Sequence, residues 1–310
     1  MKWGKLILTV KRCLVICTIM LLFNSCGGAH QNETTESLDS GTVHISADES
    51  FKPVIDSQIQ VFESSYPNAK VIVHYKPEAE CLKDFAVDSI RMVVATRGYT
   101  KNEEQFIIDS LKIDPSKMVM AYDAVAVIVH PGSADTLFTM DELRDLLLGK
   151  SKKKLKPVFD GTKATSTVRF IIDSVLKGQS FGPHVTAAQS SEGVIDYVSK
   201  TPDAVGFIGV SWIGNKEDST QLSYLEKIKV AQIESTREPG VYVVPAQYNI
   251  YYRRYPMVRD LVYVLKEKNK GVAHGFAYFL TGRRGQLIFK RAYLMPAQMP
   301  FNIRNANLRE

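Results

Sequence analysis

Short apolar, β-branched runs alternate with segments of helical period along most of the chain, and that alternation admits few folds. Gly41 to Ser46 has strand character, Asp48 to Ser50 reads as a turn, and Lys52 to Ser65 puts Ile55, Ile59 and Phe62 on one face of a helix. A second strand at Val71 to Tyr75 completes a strand, crossover helix and strand, so a β-α-β unit and parallel α/β architecture are expected. Ile90 to Ala95 predicts another buried strand, and Thr100 to Glu103 has the capping-box spacing of a helix start. Thr139 to Glu142 repeats that spacing before Leu143, Leu146 and Leu147, and Gly149 ends the segment. Pro157 to Phe159 predicts a short strand. The clearest helical period follows at Val168, Ile171, Ile172, Val175 and Leu176. Ser190 and Ser191 precede a further helix with Val194 and Val198, and Ala204 to Gly209 is a strand beyond it. Two long β-rich runs, Met118 to Val129 and Gly240 to Tyr252, are expected to carry the chain from one lobe to another and back. From Pro256 to Tyr293 the pattern reads as helical, with Gly271, Gly282 and Gly285 as punctuation.

The N-terminus carries Lys2, Lys5, Lys11 and Arg12, an uncharged run from Cys13 to Phe23, then Asn24-Ser25-Cys26-Gly27-Gly28. This is the pattern of a secretory signal, too short to span a bilayer comfortably and without a charged stop-transfer flank. Leu22 to Cys26 resembles the bacterial lipoprotein box, although Asn24 is a less usual residue there. The resemblance implies cleavage before Cys26, acylation of that cysteine, and export to the periplasmic side or outer surface of the cell envelope through a lipid anchor. Residues 1–25 then form the signal and the polar stretch 26–40 a tether. Of the four cysteines only Cys81 remains, which excludes an intramolecular disulfide and leaves Cys81 as a small core residue. Roughly 270 residues follow the tether, more than one small core holds, so two lobes are expected.

Charge narrows the partners. Residues 1–25 hold four of the 39 basic residues and none of the 33 acidic ones, leaving 35 against 33 and a formal charge of +2. Nucleic acid has no electrostatic footprint on such a chain. The one basic cluster, Lys150 to Lys156, reads as a solvated loop after a helix. No Gly-x-Ser-x-Gly elbow or Walker loop occurs, and His30, His44, His74, His130, His184 and His274 never fall at metal-ligand spacing, so no enzyme, metal or cofactor is expected.

Four strand-to-helix junctions bear hydroxyl residues or arginine: Ser46 to Ser50, Thr96-Arg97, Thr165 to Arg169, and Ser190-Ser191. Taken singly, each hydroxyl reads as a helix cap. Taken together, they place helix N-terminal amides, hydroxyls and two guanidinium groups at the carboxyl ends of strands, where open α/β sheets bind ligands. The sum predicts an oxyanion site. Trp212, Tyr248, Tyr251 and Tyr252 read as core or hinge packing beside it.

The order of segments resembles the phosphate-binding proteins of phosphate ABC transporters, members of the type II periplasmic binding proteins. The matching stretches are Val43 to Phe51, Val94 to Gly98, Asp123 to Pro131, Thr139 to Gly149, Ser166 to Arg169, Ser190 to Val198 and Thr201 to Gly209, within roughly residues 41–295. The resemblance implies a two-lobe α/β fold with mostly parallel sheets flanked by helices and joined by two crossing strands. Residues 41–122 and 246–310 would form lobe I and 123–245 lobe II. It implies a monomer that closes on inorganic phosphate in the cleft and is read by an ABC transporter permease. The implied ligand set is Asp48, Glu49 and Ser50 from the first loop, Thr96 and Arg97 from the second, Ser166, Thr167 and Arg169 from the third, and Ser190 and Ser191 from the fourth. Loss of Arg97 is expected to abolish most binding.

Two departures stand out. The first loop is Ala47-Asp48-Glu49-Ser50 where the family is rich in glycine, serine and threonine, and Thr167-Val168 replaces the glycine and threonine of the third. A carboxylate in the first loop has a use, because hydrogen phosphate carries a proton that sulfate lacks at neutral pH. The alternatives are another oxyanion or phosphorylated solute, or a ligand-free role in protein interaction on the same fold.

Overall fold

The computed structural model describes residues 37–161, 165–266 and 270–300; the predicted signal, Cys26 and most of the tether lie outside the described residues. The strands are β1 (Ser40–Asp48), β2 (Asn68–Lys76), β3 (Ile90–Ala95), β4 (Ser116–Val129), β5 (Leu137–Phe138), β6 (Lys156–Phe159), β7 (Thr186–Ala187), β8 (Ala204–Gly209), β9 (Lys229–Val230), β10 (Gln232–Glu234), β11 (Tyr242–Val243), β12 (Val258–Leu265) and β13 (Met295–Pro296). One large sheet has the order β2-β1-β3-β12-β4-β8-β6-β7, and β11-β10-β5 form a small second one.

The expected β-α-β opening is present: β1 pairs in parallel with β2 and β3, and the helix Lys52–Ser65 crosses between β1 and β2. The far end of the large sheet is parallel too, with β6 between β7 and β8. Between them, β4 and β12 run antiparallel to each other and to their outer neighbours. At about 3.3 Å per residue the 14 residues of β4 reach ~46 Å. Its first part, up to Ala124, pairs with β12, and Val125 to Val129 pair with β8, so one strand serves both ends of the sheet. That is the crossing expected at Met118 to Val129.

Helices cover both faces, as parallel strands require. Beside β1 to β3, Phe62, Phe276 and Phe289 pack one face, and Cys81, Leu82, Phe85 and Ile107 the other. Beside β6 and β8, Leu143, Leu147, Phe159, Ile171 and Phe207 pack one face, and Val194, Ile195, Val198 and Ile208 the other. Both predicted capping boxes form, Thr100 with Glu103 and Thr139 with Glu142. Gly149, at φ 76°, ends its helix in the left-handed conformation that glycine adopts without strain. Cys81 is fully buried, in keeping with its reading as a core residue. In the basic cluster, Lys153 pairs with Asp135 and Glu142, and Lys156 with Asp203.

Three readings are corrected. Gly240 to Tyr252 is not a crossing strand, because only Tyr242–Val243 is extended and Gln247–Tyr251 is helical. Pro245 has no N–H for a ladder, and the Asn249 side chain donates to the Val244 carbonyl at 2.9 Å, which turns the chain. The return comes later: the Val125 N–H donates to the Met257 carbonyl at 2.9 Å and the Tyr255 hydroxyl to the Val125 carbonyl at 2.8 Å. The tail does not start as a helix either, since Val258–Leu265 is β12; a short apolar run fits either period, and its β-branched residues and buried partners decide for strand. Finally, the helix with the clearest period is α-helical only at Ser166–Phe170 and continues as a π-helix over Ile171–Val175, with Val168, Ile171, Val175 and Leu176 still buried.

Candidate functional site

The carboxyl ends of β1, β3, β6 and β8 lie where polar groups are buried together. Ser46, Asp48, Ser50, Thr96, Asp123, Asp160, Thr165, Ser166, Thr167, Ser191 and Arg259 are all under 9% exposed. Buried polar groups persist only with partners, so their bonds define the site.

Asp48 ends β1 and its Oδ1 accepts from the Ser50 N–H at 3.1 Å, capping the short turn Glu49–Phe51. Its Oδ2 has no partner although it is buried. Burial, and then the neighbouring Glu78 carboxylate, push its pKa from 3.8 up to about 7, against the pull of Arg259 and Ser166. Glu49 beside it is half-buried and also raised, by burial and by Asp160 and Glu80. The Ser50 hydroxyl donates to Asp160 Oδ2 at 3.3 Å, and the Ser50 carbonyl accepts the Trp212 indole N–H at 2.9 Å. Trp212 therefore touches the first loop itself.

Asp160 follows β6 and draws hydroxyls from three segments. Its Oδ2 accepts from Ser50 and, at 3.0 Å, from Ser191; its Oδ1 accepts from Thr165 at 3.0 Å. Burial raises its pKa, opposed by the hydrogen bonds from Ser191 and Thr165. Ser166 donates to the Ser50 hydroxyl at 3.3 Å and in turn accepts from Arg259 Nη1 at 3.0 Å. Thr167 accepts from the same Nη1 at 3.3 Å. The Val168 amide goes to the Thr165 hydroxyl, which is the helix cap.

Arg259 is the cation that sequence reasoning missed. It stands on β12 directly opposite Asp123 on β4, and its Nε donates to Asp123 Oδ2 at 2.8 Å. Burial pushes the Asp123 pKa up and Arg259 holds it back. The guanidinium lies over the Phe51 ring, 5.0 Å from its centroid, and its Nη2 is buried without a partner. A Cβ on Gly209 would come within 3.1 Å of that Nη2, so the bare glycine at the end of β8 admits the arginine. A charge inside each of two apolar strands was the available signal, because a buried charge requires a partner.

A second knot lies beside the first. Glu78, at the start of the helix Glu78–Asp84, accepts from the Thr96 N–H at 2.8 Å, from the Thr96 hydroxyl and from Arg169 Nε, while Arg169 Nη2 donates to the Thr96 hydroxyl at 2.6 Å. Burial would raise the Glu78 pKa, yet Arg169 and Thr96 bring it below its ordinary value.

Of the residues singled out from sequence, Asp48, Ser50, Ser166, Thr167 and Ser191 come together, and Thr96 with Arg169 adjoins them through Glu78. Arg97 and Ser190 stand apart. Arg97 forms a bidentate pair with Glu103, at 2.8 and 3.1 Å, on a partly exposed surface. Ser190 accepts from the Gly193 N–H as the cap of the helix Ser191–Lys200. Glu49 shares no hydroxyl of the cluster. Among the described residues no group of three or more His, Cys, Asp and Glu side chains is placed to hold a metal ion, and no helix is long and apolar enough to cross a membrane.

Hydroxyls, a guanidinium and strand carboxyl ends converging on one buried point are the chemistry of a binding site for a small polar solute. Comparison with known proteins places the fold. The chain is 23% identical over 290 residues to the phosphate-binding protein PstS of Borreliella burgdorferi, covering 88% of this chain and 94% of the relative. An ABC transporter substrate-binding protein of Clostridium perfringens, solved with bound phosphate, superposes with a TM-score of 0.69 at 17% identity, over 83% of this chain and all of that one. An ABC-type phosphate transport receptor of Vibrio cholerae gives 0.61 at 16% identity with the same coverage. Residues 32–284 match the family model of the PBP superfamily domain, and the chain belongs to that superfamily, with the two-lobe α/β fold of the type II periplasmic binding proteins.

Proposed function

We propose that this protein is a non-catalytic solute-binding protein that captures inorganic phosphate and presents it to the permease of an ABC-type transporter. One observation carries the reading. Beside the serine cluster, a fully buried Asp48 keeps an unpartnered acceptor oxygen and Arg259 keeps an unpartnered buried N–H donor. Hydrogen phosphate offers both complements, a P–OH to the carboxylate and P–O⁻ to the guanidinium. Sulfate offers only the second, so Asp48 in its ionised form, above about pH 7, and not the half-buried Glu49, is the carboxylate that selects.

In this reading the ligand set is Asp48, Ser50, Thr165, Ser166, Ser191 and Arg259, with Thr96 and Arg169 acting through Glu78, and with Arg97 and Ser190 outside it. The lobes divide at 122/123 and, because the return crosses beside Val125 at Tyr255 to Met257, near Met257 instead of at 245/246; closure on the ligand is what the permease reads. The monomer is held at the cell envelope by lipid on Cys26, with residues 26–40 as its tether. Names of similar proteins support this reading: the curated relative is a phosphate-binding protein, and a structural neighbour holds phosphate.

The acidic balance of the cluster favours a second reading, a ligand-free interaction role, in which Asp160 satisfies the hydroxyls permanently. Calorimetric titration of refolded, ligand-stripped protein with phosphate and sulfate separates the two. Tight phosphate binding, with sulfate at least ~100-fold weaker, is expected. No heat and no thermal stabilisation at millimolar phosphate would sink the capture reading.

A further inference from the structure

The hydroxyls of the proposed site are given to an anion, and that anion is the protein's own. The donors form a directed series: Arg259 Nη1 to Ser166, Ser166 to Ser50, and Ser50 to Asp160, which Ser191 and Thr165 also reach. Each hydroxyl of this series points, directly or through Ser50, to one carboxylate. Asp160 is 2% exposed and bonds a residue 110 positions away in the first loop. No other acceptor among the described residues collects donors from three of the predicted loops.

We propose that the Asp160 carboxylate is a built-in competitor for the captured oxyanion, occupying the hydroxyl cradle until the ligand displaces it, and that it thereby sets the affinity of this chain. The inference rests on the capture reading above. A carboxylate and a phosphate oxygen make the same demand on O–H donors, and each hydroxyl has one proton to give, so Ser50, Ser191 and Thr165 serve one acceptor at a time. Charge adds to the competition. The cluster buries Asp48, Glu78, Asp123 and Asp160 around Arg169 and Arg259, so an incoming anion meets more carboxylates than guanidinium groups. Among the carboxylates of this cluster, only Asp160 accepts from three hydroxyls of the proposed ligand set.

The experiment titrates phosphate into the refolded wild type, Asp160→Asn, Asp160→Ala and Glu49→Gln, with melting curves with and without phosphate. Glu49→Gln removes a nearby negative charge that holds no hydroxyl. The expected result is a gain in phosphate affinity of at least ~10-fold in both Asp160 variants, since two or three charge-assisted hydrogen bonds no longer have to be broken. Glu49→Gln should change affinity by less than about threefold. If the wild type binds and neither Asp160 variant binds more tightly, the competitor role is overturned while phosphate capture stands. An equal gain in Glu49→Gln would show long-range charge instead of competition and overturn it too. Binding by the Asp160 variants but not by the wild type is its strongest support. If none of the four binds, the capture reading fails and this inference with it. A variant that folds only with phosphate present supports displacement of Asp160 by ligand. Variants that fold in neither condition would make Asp160 a structural requirement and refute the proposal.

Discussion

Replacing Arg259 with alanine should be among the most damaging single changes in the chain, and the reason can be worked from its partners. The side chain is 2% exposed and that of Asp123 is fully buried, with Asp123 Oδ1 already unpartnered. Removing the guanidinium strands that carboxylate and takes a donor from Ser166 and Thr167. Breaking a buried ion pair from one side costs about 3–5 kcal/mol. The lost guanidinium packing over Phe51 adds about 0.5–1 kcal/mol. Urea unfolding of Arg259→Ala should therefore show a loss of about 4 kcal/mol with the urea slope unchanged. The companion Asp123→Leu/Arg259→Met replaces both charges by apolar groups of similar volume and should recover most of that loss, because no charge is then buried alone. A single-variant loss below about 1 kcal/mol, or a double variant as unstable as the sum of its singles, would refute the argument that unpaired burial sets the cost.

Other outcomes follow from the same bonds. Because Asp48 is raised to about 7 in the folded chain from 3.8, the native state keeps a proton that the unfolded chain releases. Stability should fall as pH rises across that window and level off above it, by roughly 4 kcal/mol for this group. Asp48→Asn should remove that part of the slope in pH-dependent melting, and an unchanged slope would show that Asp48 does not titrate there. Arg169→Ala leaves Glu78 buried without its cation and should cost about 3 kcal/mol, at the low end for buried pairs because the Arg169 side chain is about a third exposed. Its stability should also stop falling as pH drops through the range where Glu78 protonates, and a loss of that size without the altered pH profile would mean that packing, not charge, is responsible. Arg97→Ala should cost less than ~1 kcal/mol and leave phosphate affinity within about twofold, since Arg97 is engaged with Glu103 at a partly exposed surface. A collapse of binding in that variant would return Arg97 to the ligand set.

The alternation of strand and helix, both capping boxes and the hydroxyls at strand ends were legible in the sequence, because each depends on residues within a few positions of one another. Ser50, Ser166 and Ser191 could be singled out that way, each from its own junction. Arg259 and Asp123 carried only the signal of a charge within an apolar run, Asp160 and Glu78 none, and together they complete the candidate site. Asp160 meets Ser50 across 110 residues, Arg169 meets Glu78 across 91, and Arg259 meets Asp123 across 136. No local window contains such a pair. The same limit explains the misplaced return crossing: β12 is a strand because β3 and β4 flank it, and its own eight residues suit more than one conformation. Local sequence determined which elements form and where polar groups could sit at their ends. Only the tertiary structure decided which charges are buried together, because burial strengthens their interaction and removes the water that would otherwise satisfy them.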